Sequence, residues 1–100
     1  ALAAYRYQRE TEGITWNGWP VSTDRESRGN LGNAYNLARD GYWNEGYKFA
    51  DEVYRPMTSQ QVIALALAVA AHVGQCYARE GEIAAQLDAA TTPEALSWTW

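Results

Sequence analysis

From Met57 to Ala78 the chain carries no Asp, Glu, Lys or Arg, and Val62–Ala71 is apolar at every position. A stretch like this must be buried in a core, in a bilayer or against a partner. A bilayer span needs about 20 predominantly apolar residues, and a shorter run fits a buried core helix better. The uncharged stretch also holds Gln60, Gln61, His72 and Gln75, and half of Val62–Ala71 is alanine. A core helix without membrane insertion is therefore expected. Thr58-Ser59-Gln60-Gln61 has the form of a capping box, in which hydroxyl and amide side chains satisfy reciprocal backbone N–H groups. It opens a helix expected over 59–89, roughly 45 Å long at 1.5 Å per residue.

Along that helix Val62, Ala66, Val69, Val73, Cys76, Glu80, Ile83 and Leu87 alternate four- and three-residue steps, broken in polarity at Glu80. Leu65 and His72 widen the stripe beside Val69 and Cys76. Such a seam serves two purposes equally well. It is either a contact between copies, through Val62, Val69, Val73, Cys76, Ile83 and Leu87, or packing against another helix of the same chain.

Composition decides whether the rest can fold. Leu, Ile, Val and Phe supply only 16 of 100 residues while Ala supplies 17, a poverty that in a highly charged chain signals disorder. The net charge is only −4, and five Trp and seven Tyr restore the missing bulk. One small aromatic-rich domain is expected. The acidic balance and scattered basic residues offer no footprint for nucleic acid.

Residues 1–11 read as the end of a helix entering from upstream, with Leu2, Tyr5 and Arg9 on one face and Gly13 closing it. The chain opens on Ala1 and so reads as a piece of a longer protein; residues 12–100 read as a single domain. Ile14–Val21 contains Asn17-Gly18 between β-prone residues, the strongest short hairpin signal. That turn sets Trp16 opposite Trp19 and Ile14 opposite Val21, all four on one side. Thr23-Asp24-Arg25-Glu26 resembles a capping box before a helix over about 24–39, with Leu31, Ala34, Tyr35 and Ala38 as its apolar stripe. A second hairpin is expected from Tyr47–Ala50 and Val53–Arg55, turning at Asp51-Glu52 with Phe49 opposite Tyr54. Thr92-Pro93 starts a short terminal turn through Leu96. The fold class is mainly α with small β-hairpins (α+β), one long Ala-rich helix packed with a shorter one.

Chemistry-bearing groups are few. His72 and Cys76 share a helix face, but one His and one Cys fall short of a zinc ligand set, and apolar surroundings should raise the thiol pKa. His72 is expected to pack in the seam with its imidazole bonded to a neighbouring carbonyl or side chain. Asp24, Glu26, Asp51 and Glu52 occupy cap and turn contexts, and no nucleophile elbow, phosphate loop or metalloprotease motif occurs. The chain does not read as an enzyme, and no metal or cofactor is implied. Trp16 and Trp19 are expected to pack their hairpin on the helices. Trp43, Tyr47, Trp98 and Trp100 are better candidates for partner contact, since Trp and Tyr dominate interface hot spots.

Taken in order, Thr23-Asp24-Arg25-Glu26-Ser27-Arg28, Lys48-Phe49-Ala50-Asp51, Met57-Thr58, Ala70-Ala71-His72-Val73, Arg79-Glu80 and Leu87-Asp88-Ala89-Ala90-Thr91-Thr92-Pro93-Glu94-Ala95-Leu96 resemble a known pattern. It is that of an uncharacterised domain near the C-termini of bacteriophage tail, tail-fibre and tail-fibre-assembly proteins, over about residues 12–97. The resemblance implies a structural or attachment module of a phage or prophage tail, made in the bacterial host cytoplasm and resident in the virion tail. Its partners would be tail-fibre or tail-tip proteins; the four- and three-residue seam adds further copies of the chain, a trimer among the forms, and the loop aromatics add host-surface glycan. The other role implied is an assembly chaperone that binds the fibre tip. No catalytic residue is carried over. Asp24, Asp51 and His72 fall on recurrent polar positions with structural roles.

Overall fold

The computed structural model describes residues 1–89 and residue 100. The order is α1 (Leu2–Thr11), β1 (Ile14–Trp16), β2 (Trp19–Val21), α2 (Arg25–Arg39), β3 (Gly46–Lys48), β4 (Tyr54–Pro56) and α3 (Ser59–Ala89). The mainly helical architecture with two small antiparallel hairpins is the one expected. The terminal turn from Thr92 lies outside the described residues.

α3 is the axis of the molecule. Thr58 Oγ1 accepts from the Gln61 N–H at 3.1 Å while Gln61 Oε1 accepts from the Thr58 N–H at 2.8 Å, completing the capping box. α1 and α2 follow one another along α3, both antiparallel to it. Arg9 lies at His72 and Arg6 at Glu80, while Trp43, just beyond α2, lies at Ser59. The core cluster joins Leu31, Ala34 and Ala38 of α2 to Val62, Leu65 and Val69 of α3, with Val21, Phe49 and Met57 from the hairpins and their connections. Fully burying a side chain such as Leu65 contributes about 1.5–3 kcal/mol.

The first hairpin has the expected register, Ile14 opposite Val21 and Trp16 opposite Trp19. Asn17 and Gly18 have φ of 53° and 78°, the left-handed pair that a two-residue turn of this hand requires. Ile14, Val21, Trp16 and Trp19 all pack on the core. Trp19 meets Phe49 edge-on at 5.3 Å, and the Ala50 N–H donates to Pro20 O at 3.0 Å, so the two hairpins are bonded together.

Two local expectations are corrected. In the second hairpin Lys48, not Phe49, faces Tyr54. Glu52 takes a left-handed conformation, φ 66°, and the Phe49 N–H donates to Val53 O across the turn. The extra loop residue shifts the register by one and buries Phe49. At α2 the N-cap is Asp24, whose carboxylate accepts from the Ser27 N–H at 3.1 Å and the Ser27 hydroxyl at 2.6 Å. Thr23 is engaged elsewhere. Its buried hydroxyl accepts from the Gly13 N–H and donates to Glu10 O, stapling the end of α1 to the start of α2.

Candidate interaction surfaces

The outer side of α3 is largely uncovered. Among the described residues this helix alone is long and apolar enough to cross a bilayer, yet only 22% of its most apolar 18-residue stretch is buried. Between α2 and α3 runs an apolar groove of about 540 Å³, with Leu31, Tyr35, Ala66, Ala70, Val73 and Gly74 in its walls. Leu67 stands at its edge, 59% exposed. The small side chains on α3 let another backbone approach closely, and exposed apolar surface of this kind marks contact sites. The only charged residue of the groove is Arg28, and its guanidinium is bonded to Glu10 at 2.8 Å.

Glu10 holds the three helices in place. It is 1% exposed and receives Arg6 from its own helix and Arg28 from α2, with Arg25 at 3.7 Å. Burial pushes its carboxyl pKa up, but the bonds from Arg28 and Arg6 and the charges of Arg28 and Arg25 outweigh that, leaving the pKa lowered. Arg6 also reaches Glu80 at 3.4 Å. The polar break in the α3 seam is therefore where α1 is fastened.

His72 donates through Nε2 to the Arg9 carbonyl at 3.0 Å, the packed arrangement expected. Because a carbonyl oxygen only accepts, the contact fixes the proton on Nε2. Cys76 Sγ lies 3.8 Å from the same nitrogen. Burial first, then the charges of Glu10 and Glu12, raise the Cys76 pKa, the environment of an inert thiol. Among the described residues no three His, Cys, Asp or Glu side chains gather as metal ligands.

The seam residues divide. Val62, Val69, Cys76 and Ile83 are buried inside the chain, the first two under α2 and the hairpins; Val73 and Leu87 are half-exposed. The described aromatic candidates lie at separate places on the fold. Trp43 packs against the core and its carbonyl accepts from the Ser59 hydroxyl. Tyr47 is half-buried, meeting Phe49 edge-on at 5.5 Å. Trp100 lies tilted on Tyr5 at 5.4 Å, its carbonyl accepting from Arg79 Nε at 2.8 Å. Trp98 lies outside the described residues. Among the described residues the most exposed large apolar side chains are Tyr42, Tyr54 and Leu67. Only the absence of charge on α3 pointed towards Leu67.

These features define a small α+β module whose helices are clamped by ion pairs onto the buried Glu10 carboxylate and whose longest helix keeps an uncovered apolar side. The chain belongs to a family described as a domain of unknown function, DUF4376, which matches residues 1–99. No curated protein and no solved structure matches it.

Proposed function

We propose that this chain is a structural and attachment module of a bacteriophage or prophage tail or tail fibre, working through protein–protein contacts without catalysis or cofactor. The ordered resemblance of residues 12–97 to phage tail domains supports the placement. The observation that carries the mode of action is the apolar groove between α2 and α3, whose one charged residue, Arg28, is paired with Glu10. Its occupant is an apolar helical segment of a tail-fibre or tail-tip protein, because the lining presents no free charge to a charged partner and small side chains admit a helix closely. A bilayer suits the groove less well, since α1 packs on α3 and would carry Arg6, Arg9 and Glu10 into lipid with it. Self-association along α3, with a trimer among its forms, would draw on Val73 and Leu87, the seam residues left half-exposed.

Quantitative proteomics of purified particles tests the placement. Stoichiometric presence supports the structural role. Absence from particles, combined with co-purification on the fibre protein during assembly, supports the chaperone role instead. Absence from both overturns the tail reading. For the groove, Leu67→Asp should leave the melting temperature within a few degrees of the parent and weaken capture by the fibre protein at least about tenfold, since an interfacial apolar anchor is worth 1–2 kcal/mol or more. Undiminished capture would exclude the groove.

A further inference from the structure

A second concavity has a different chemistry. Between the beginning of α2 and the β3–β4 hairpin lies a cleft of about 340 Å³ whose lining includes Ser22, Glu26, Asn30, Tyr47, Lys48 and Glu52. We propose that this cleft binds a neutral sugar unit of a glycan, with Ser22, Glu26 and Asn30 bonding its hydroxyls and the Tyr47 ring flanking it. The inference rests on the cleft's own lining and stands independently of the tail reading.

Ser22, Glu26 and Asn30 follow at four-residue intervals along one wall and offer a hydroxyl, a carboxylate and an amide. None of the three side chains has a hydrogen-bond partner among the described residues. Their polar neighbours are already committed. Asp24 caps α2 through Ser27, Asp51 holds Arg55 at 2.8 Å, and Lys48 pairs with Glu52 at 2.6 Å. A wall of unengaged donors and acceptors facing an aromatic ring is the complement of a polyhydroxylated ring compound, which presents O–H groups at its edge and C–H groups on its faces.

The other wall is rigid. Tyr47 sits in paired strand β3 opposite Arg55 and is braced edge-on by the buried Phe49. Burial, and then the charge of Asp24, raise its pKa, so the phenol remains a donor at neutral pH. The volume lies at the small end of ligand pockets, suited to one or two rings. Ligand charge is selected too. With Lys48 and Glu52 paired, Glu26 is the uncompensated charge of the lining and the Asp24 carboxylate stands close to Tyr47, so anionic ligands are repelled. The groove between α2 and α3 lacks these polar groups and makes no such selection.

Saturation-transfer NMR and isothermal titration on the full chain test this. The probes are neutral hexose and N-acetylhexosamine oligosaccharides, with sialylated ones as the anionic comparison. Binding of a neutral probe, with sialylated probes at least about tenfold weaker, is the expected result. Glu26→Gln with Asn30→Ala should weaken that binding at least about tenfold while the far-ultraviolet circular dichroism and melting temperature hold. Because Tyr47→Ala endangers the hairpin, Tyr47→Phe is its companion and should retain most of the binding. Silence across the panel at millimolar concentration, preference for sialylated probes, or unaltered binding by the double variant would each overturn the proposal. Particle proteomics does not enter this test, so its failure and that of the tail reading are separate.

Discussion

At the scale of single residues, Glu10 carries the heaviest duty. A carboxylate taken out of water is tolerable only when its lone pairs are met by well-placed donors, and Glu10 is met by Arg6 and Arg28. Glu10→Gln would leave those guanidiniums, themselves only 13% and 21% exposed, facing a neutral amide. The expected loss is about 2–3 kcal/mol in urea unfolding, from broken charge-assisted bonds and partly buried cations without a counter-charge. The pH dependence follows in sign. A carboxyl whose folded pKa lies below the ordinary 4.5 contributes stability above that pH, and the contribution is lost as pH falls through the folded value. Asp24 acts in the same direction, held down by its bonds from Ser27. Stability should therefore fall on acidification below about pH 4.5, and the fall should be shallower in Glu10→Gln, as seen in unfolding midpoints taken from pH 7 to pH 3. An unchanged acid limb would show that Glu10 is not its source. Nothing in the sequence marks Glu10, because its partners come from α2 as well as α1 and only folding brings them together.

Among the elements, what was legible in the sequence was what short-range chemistry determines. Asn17-Gly18 specifies its turn from two residues, and Thr58 with Gln61 caps α3 from four. The β3–β4 register was not legible, because it depends on Glu52 adopting a left-handed conformation that its side chain does not advertise. Thr23 does not cap α2 for a long-range reason: Gly13 and Glu10 claim its hydroxyl, and Asp24 takes over. The groove could not be read because α3 is apolar nearly all round in its first half, so periodicity does not reveal which side is left uncovered. Element-level glycines give a test with opposite signs. Gly13 has φ 96°, and a Cβ there would lie 3.0 Å from Val21 O, so Gly13→Ala should cost about 1–3 kcal/mol. Gly29, on α2 with open space around it, should gain up to about 1 kcal/mol when changed to Ala. Shifts of the urea midpoint in the same direction for both would contradict this account of the α1–β1 junction.

For the whole molecule, the length of α3 sets the mechanics. The chain measures 56 × 26 × 21 Å with a radius of gyration of 16.9 Å, above the roughly 13 Å expected of a compact domain this size. One helix spans two unequal packing zones. Val62, Leu65 and Val69 belong to the main cluster with α2 and both hairpins, whereas Cys76 and Ile83, though buried, stand outside it on the part of α3 that α1 accompanies. Besides α3 itself, the polar links between the zones among the described residues run from Glu10 to Arg28 and from Thr23 to the end of α1, while His72 ties α3 to α1 through the Arg9 carbonyl. A zone held by one ten-residue helix and a handful of polar bonds should open at lower free energy than one packed on three sides. Native-state hydrogen exchange should therefore find the slowest α3 amides near residues 62–70 and faster ones near 80–87. Glu10→Gln, by loosening α1, should widen that difference and speed modification of Cys76 by a thiol reagent before the main zone unfolds. Uniform protection along α3, falling uniformly in the variant, would show instead that the long helix and all it carries unfold as one unit.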